Sequence, residues 1–64
     1  MKLEELMKEL EKKFSYRIEQ LPNSYGYTVI IWDEYGVRRA NAQELFLEKA
    51  ITKSLEQYAE KKEI

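Results

Sequence analysis

With 64 residues, the chain is long enough for a single domain over residues 1–64 and too short for a second domain that could form a catalytic cleft. It contains neither cysteine nor histidine, which excludes disulfide bonds and removes the most common general base and metal ligand. The formal net charge of −1 is evenly spread, so no basic segment predicts binding to nucleic acid or to an anionic membrane.

The composition also bears on cellular location. Small secreted domains usually compensate for a thin core with disulfides, which this chain cannot form. The chain opens with Met1 and a charged amphipathic segment, without an apolar signal region or a run long enough to span a bilayer. We therefore expect a cytoplasmic protein that does not associate with membranes.

The first two predicted elements are a helix and a strand. Residues 2–13 have an apolar stripe at helical spacing, which continues to Phe14 and consists of Leu3, Leu6, Met7 and Leu10. From Phe14 to Gln20 apolar and polar side chains alternate, which predicts a strand with one buried face. Phe14, Tyr16 and Ile18 are expected to point into the core.

A second strand follows a turn at residues 21–24, where a proline and polar residues favour chain reversal. Residues 27–32 are β-branched or aromatic throughout and give the strongest strand signal in the chain. This segment is apolar on both faces. We expect Val29 and Ile31 to face the helices because Thr28 on the other side is polar, although the reverse assignment fits nearly as well.

The four residues after Trp32 predict a tight turn that ends in a glycine. Residues 37–40 then return as a short third strand, or residues 34–40 form a loop instead. In the strand interpretation, Trp32 lies opposite Val37 and Ile31 lies opposite Arg38.

The last predicted element is a helix from Asn41 to about Lys62. Asn41 is a suitable N-cap, and Glu44 follows it at the spacing of a capping box. At about 1.5 Å per residue the helix would be about 31 Å long and would overhang a six-residue strand of about 20 Å. Its apolar stripe consists of Leu47, Ala50, Ile51, Ser54, Leu55, Tyr58 and Ala59.

Together the elements predict an α+β fold of order α–β–β–β–α. A small antiparallel meander of two or three strands would have both helices packed on one face, because two amphipathic helices need a shared apolar surface. The other face of the sheet would then be open.

This open face is the candidate binding site. Its apolar side chains lie beside arginines, a combination that is unusual on a monomer and typical of interface centres. We therefore predict a protein-interaction or regulatory module that binds a protein partner, and a symmetric homodimer would cover such a face. In an alternative interpretation, the overhanging helix or a chain terminus covers it. The predicted partner-binding residues are Arg17, Ile30, Trp32, Val37 and Arg39.

The same face supports an alternative function, the weak binding of nucleic acid. Aromatic side chains on a sheet can stack single-stranded bases while arginines contact phosphates. The even distribution of charge argues against this function. The residues involved would be Arg17, Trp32, Arg38 and Arg39.

Catalysis and metal binding have little support in the sequence. Asp33 and Glu34 are adjacent carboxylates, but adjacent strand residues point to opposite faces. No histidine is present to activate a serine, and two glycines are too few for a phosphate-binding loop. We therefore predict a non-enzymatic protein without catalytic residues, cofactor or metal site.

Two resemblances add to these predictions. The order of elements is similar to that of double-stranded-RNA-binding domains, which read RNA partly with a basic cluster at the start of the last helix. Residues 41–44, at that position here, are neutral to acidic. The C-terminal half, with strand 27–32, a turn after Asp33 and a helix containing residues 48–51 and Leu55, resembles small phage- and prophage-encoded α–β sandwich proteins. This second resemblance implies a small regulatory or host-interacting protein.

Overall fold

The computed structural model describes residues 3–62. In chain order it contains helix α1 (Leu3–Glu11), strand β1 (Ser15–Gln20), a short 3-10 helix (Pro22–Ser24), strands β2 (Tyr27–Trp32) and β3 (Arg38–Glu44), and helix α2 (Leu47–Lys62). This order confirms the predicted α–β–β–β–α arrangement and the α+β class.

The three strands form one antiparallel sheet in the order β1–β2–β3, so β2 is central. Leu10 from α1 and Ile51 from α2 join Val29 and Ile31 of β2 in one buried cluster. Both helices therefore pack on the same face of the sheet, as predicted. Val29 and Ile31 face the helices, which settles the choice between the two faces of β2.

The third strand, β3, runs through the residues that were expected to start the last helix, and α2 begins only at Leu47. Ala40 and Ala42 are buried, while Asn41 and Gln43 between them are exposed, which is the periodicity of a strand. The predicted N-cap and capping box at Asn41 are therefore wrong. With 16 residues, α2 is about 24 Å long and shorter than expected.

Phe14 is exposed rather than buried, with 72% of its surface accessible. The chain turns at Lys12 and Lys13, whose backbone N–H groups donate to carbonyl groups of α1 at 3.2 and 3.0 Å. Phe14 consequently falls between α1 and β1 and is part of neither element. Tyr16 and Ile18 are half-buried and pack against the core, as predicted for the inward side of the strand.

Residues 33–37 connect β2 to β3 in a tight turn that is organised by Asp33. The backbone N–H of Asp33 donates to the carbonyl of Val37, and the N–H of Gly36 donates to the carbonyl of Asp33, both at 3.0 Å. One carboxylate oxygen of Asp33 accepts hydrogen bonds from the N–H groups of Tyr35 and Val37, at 2.9 and 3.0 Å. The other oxygen accepts from Nε of Arg39 at 2.7 Å. Asp33 is thus a structural residue of the turn.

The register between β2 and β3 differs from the predicted one. Trp32 lies opposite Arg38 and Ile31 lies opposite Ala40, with an irregularity between Ile31 and Trp32. The hydrogen bond from Asp33 to Val37 closes the turn around residues 34–36, which shifts the first pair by one position. An additional residue in β3 forms a bulge that shifts all later pairs. Val37 is therefore not opposite Trp32, and Arg38 is not opposite Ile31.

The hydrogen bonds of Asp33 make the stability of the fold depend on pH. The pKa of Asp33 lies below its ordinary value of 3.8, mainly because of the hydrogen bond from the guanidinium of Arg39. The backbone N–H groups of Val37 and Tyr35 also lower this pKa, whereas desolvation raises it. A carboxyl group with a lowered folded-state pKa stabilises the fold above its unfolded-state pKa. That contribution disappears as the pH falls through the folded-state value.

We expect the urea midpoint of unfolding to fall as the pH drops below 3.8, and this fall to be smaller in the variant Asp33→Asn. Urea titrations at a series of acidic pH values check the prediction. The difference between the two curves reports the contribution of the Asp33 carboxylate. Parallel curves over the whole range would contradict a role for this carboxylate in the pH dependence.

Candidate interaction surface on the open face of the sheet

The face of the sheet opposite to the helices is built from alternating residues of all three strands. In an antiparallel sheet, residues directly opposite each other point to the same side. We call the resulting set the open face. The register gives it three cross-strand rows, which are Ser15–Trp32–Arg38, Arg17–Ile30–Asn41 and Glu19–Thr28–Gln43.

The central strand supplies the apolar part of the open face. Ile30 and Trp32 follow each other on the same side of β2, and both are half-buried. Neither helix covers them, because both helices pack with Val29 and Ile31 on the other side. Ile30 and Trp32 are therefore accessible on the side of the sheet that the helices leave open.

Three of the five residues predicted to bind a partner lie on the open face: Arg17, Ile30 and Trp32. Val37 does not. Its carbonyl accepts from the N–H of Asp33, so it lies one position beyond Trp32 in the ladder, and alternation along the strand gives it the opposite orientation. Val37 is exposed near the turn instead.

The bulge decides which arginine accompanies Trp32. Arg38 is the residue directly opposite Trp32, so it belongs to the open face. Arg39 is the additional residue of the bulge, and its guanidinium forms an ion pair with Asp33 at 2.7 Å. Of the two arginines, Arg39 thus holds the turn, and Arg38 is exposed beside the indole.

The open face carries a small positive charge. Arg17 and Glu19 form an ion pair at 2.7 Å and are both solvent-accessible, so the pair contributes little to stability. Arg38 has no ion pair within the part of the chain that the structure describes. Two arginines and one glutamate leave a net charge of +1 on this face, although the whole chain carries −1.

Several large apolar side chains are exposed outside the open face. Tyr35 lies in the β2–β3 turn, and Tyr25 lies in the β1–β2 connection. Leu45 and Phe46 form the link between β3 and α2, and each is 59% exposed. Both residues lie within the helix predicted from Asn41 to about Lys62. Leucine is a good helix former, and Phe46 lies at the margin of the apolar stripe, so their spacing did not indicate that the helix begins later.

A groove of about 580 Å³ lies between α1 and α2 on the helical side. Leu6 and Leu55 form part of its floor, and Glu9, Lys13 and Glu56 contribute charges of both signs. Such mixed charge favours neither an anionic nor a cationic ligand. The groove therefore indicates less about the chemistry of a ligand than the open face does.

The comparisons with known proteins do not assign a family to this fold and surface. No protein-family model matches the chain, and no significant match was found among curated proteins or among solved structures. The resemblances to double-stranded-RNA-binding domains and to small phage proteins therefore stay predictions. For the former, the start of the last helix is residues 47–50 rather than 41–44, and it carries one glutamate and one lysine.

The acidic side chains and the two helices bear on metal binding and on membrane crossing. Within residues 3–62, no three acidic side chains come together in an arrangement that could hold a metal ion. Neither α1 nor α2, as far as they are described, combines the length and the apolar composition that crossing a bilayer requires.

Proposed function

We propose that this protein is a non-enzymatic interaction module that binds a protein partner through the open face of its sheet. The observation that carries the proposal is the position of Trp32 and Ile30 at the centre of a sheet face that neither helix covers. Tryptophan and arginine are the residue types most enriched among interface hot spots, and here Trp32 lies directly beside Arg38.

The chemistry of the open face defines the partner that would fit it. The Trp32–Ile30 strip offers an apolar contact for an aliphatic or aromatic side chain. Arg38 at its end favours a carboxylate on the partner, with which it can form a bidentate pair. The polar side chains of Asn41 and Gln43 supply hydrogen-bonding groups at the rim. The partner is therefore expected to present an apolar side chain next to acidic residues.

The remaining side chains support a role without catalysis. The carboxylate of Asp33 is occupied by two backbone N–H groups and a guanidinium. The hydroxyl of Ser54 is buried and donates to the carbonyl of Ile51 at 2.7 Å. The carboxylate of Asp33 and the hydroxyl of Ser54 are thus engaged in structural hydrogen bonds.

Substitution of Trp32 tests the proposal. We expect Trp32→Glu to weaken partner binding by about 30-fold or more, which corresponds to about 2 kcal/mol for loss of a hot spot. The matched control is Tyr35→Glu, which places the same charge on an aromatic residue that is 80% exposed and outside the open face.

The measurement is capture of partners by the immobilised protein from nuclease-treated lysate of its source organism, with circular dichroism of each variant as a check on folding. Because Trp32 is half-buried, Arg38→Glu serves as a second variant whose exposed position spares the fold. A partner retained by the wild type and by Tyr35→Glu, and lost with both open-face variants, supports the proposal. A partner retained equally by all four proteins contradicts it.

Binding of single-stranded nucleic acid is the second candidate function. It is favoured by one observation, the row in which Trp32 lies beside Arg38 with Arg17 on the same face. It predicts binding of a labelled single-stranded oligonucleotide that weakens steeply with salt and that Arg38→Glu reduces. Absence of binding at low salt excludes this candidate. A host-directed role in a phage, implied by the resemblance of the C-terminal half, stays a prediction.

A further inference from the structure

The two edges of the sheet are not equivalent. β3 forms one edge, and α2 partly covers it, because the backbone N–H of Asn41 donates to the side-chain carbonyl of Gln57 at 2.9 Å. β1 forms the other edge, and its six residues pair with β2 without any bulge. Bulges, proline and covering helices are devices that protect an edge from pairing with another chain. Within its own six residues, β1 has no proline and no bulge.

The hydrogen bonds of the sheet show which groups of β1 point outward. The N–H of Leu21 donates to the carbonyl of Gly26 at 2.9 Å, which continues the register of β1 with β2 by one pair. Backbone groups alternate between the two sides of a strand. Since Leu21 points toward β2, the backbone groups of Tyr16, Ile18 and Gln20 point away from the sheet.

The side chains next to Ile18 are self-complementary. Arg17 and Glu19 lie on either side of it and on the same face of the sheet. We infer that two copies of this chain pair edge to edge through antiparallel β1 strands, with the twofold axis at Ile18. In this arrangement Ile18 lies opposite its counterpart, Tyr16 lies opposite Gln20, and the backbone groups of all three are paired.

Charge selects this register over its neighbours. With the axis at Ile18, Arg17 of each copy lies opposite Glu19 of the other, in the pairs without backbone hydrogen bonds, where side chains are closest. Moving the axis to Arg17 places two arginines opposite each other, and moving it to Glu19 does the same with two glutamates. A shift of the partner by a single residue would place its buried face on the open side.

The resulting dimer has a six-stranded sheet with all four helices on one side and both open faces on the other. The dimer joins two partner-binding faces into one continuous surface. In this one respect the inference deepens the proposed function and rests on it. The pairing itself uses the edge of β1 and not Trp32. Self-association and partner binding can therefore be measured independently.

Charge reversal tests the pairing. We expect Arg17→Glu and Glu19→Arg to weaken the association constant of the dimer about tenfold or more each, because each makes two cross-strand pairs repulsive. The double variant, in which both charges are exchanged, should restore association to near the wild-type value. Sedimentation equilibrium over a wide range of protein concentrations measures all four proteins. Failure of the double variant to recover overturns the inference.

Amide hydrogen exchange locates the interface. As protein concentration rises, the N–H groups of Tyr16, Ile18 and Gln20 should become protected, while that of Gln43 on the opposite edge should not. The open-face variant Arg38→Glu, whose exposed position spares the fold, should associate as the wild type does. No change in protection with concentration, or protection confined to Gln43, contradicts edge pairing. Loss of association in Arg38→Glu also contradicts it. Loss of partner capture alone leaves edge pairing intact and bears on the proposed function.

Discussion

Replacing Gly26 by alanine is expected to destabilise the domain by about 2–5 kcal/mol, from an unfavourable backbone conformation and an overpacked contact. Gly26 has a φ of +107°, a region that residues with a Cβ rarely adopt. A Cβ at this position would lie only 2.8 Å from the Cα of Leu45 and still closer to the carbonyl oxygen of Glu44. Both are backbone atoms at the end of β3, so no side-chain rotation relieves the clash.

Gly36→Ala is the matched control for this substitution. Gly36 also has a positive φ, +77°, but a Cβ there would have no atom within 4 Å. Gly36→Ala should therefore lower the free energy of unfolding by only about 1 kcal/mol, the cost of the unfavourable backbone conformation alone. Urea unfolding, followed by the fluorescence of the single tryptophan, measures both variants. Equal losses of stability would contradict the close approach of the β1–β2 connection to the end of β3.

Leu10→Ala is the second substitution with a large expected effect. Leu10 is fully buried and joins α1 to the core that β2 and α2 share. Truncating a buried leucine typically costs about 2–5 kcal/mol, through lost burial and the cavity left behind. A domain of this size rarely has more than about 3–5 kcal/mol of stability, so we expect a large fraction of the variant to be unfolded at 25 °C.

Leu45→Ala provides the comparison. The side chain of Leu45 is 59% exposed, and its removal should change the stability by less than about 0.5 kcal/mol. Circular dichroism and urea unfolding distinguish the two outcomes. If the variant at Leu10 were as stable as the one at Leu45, α1 would not be an integral part of the core, and the arrangement of both helices on one face would be wrong.

Most elements of the fold could be predicted because their periodicity is clear. The apolar stripe of α1 and the β-branched run of β2 each have one dominant spacing, and both elements were found at or near the expected residues. The boundary between β3 and α2 could not be predicted. Ala40 and Ala42 are small and have no strong preference for strand, and Asn41 followed by Glu44 imitates a helix start. The buried ladder with β2 overrides these local preferences.

The centre of the candidate site was predictable, and its border was not. Alternation along β1 and β2 is enough to place Arg17, Ile30 and Trp32 on one face. Whether Arg38 or Arg39 lies on the open face depends on the length of the β2–β3 loop and on the bulge in β3. A change of one residue in either would exchange the two faces of β3. Asp33 carries the signal that was missed, since aspartate before a turn often accepts hydrogen bonds from the backbone that follows.

The most direct test of the open face as a binding surface uses Trp32 itself as the reporter. Because the chain has one tryptophan, labelling with 5-fluorotryptophan gives a single fluorine NMR resonance from this face, visible even in a concentrated lysate. We expect this resonance to shift or broaden in nuclease-treated lysate of the source organism, and to keep its free position in the Arg38→Glu variant. An unchanged resonance of the wild-type protein in the same lysate would contradict the proposal.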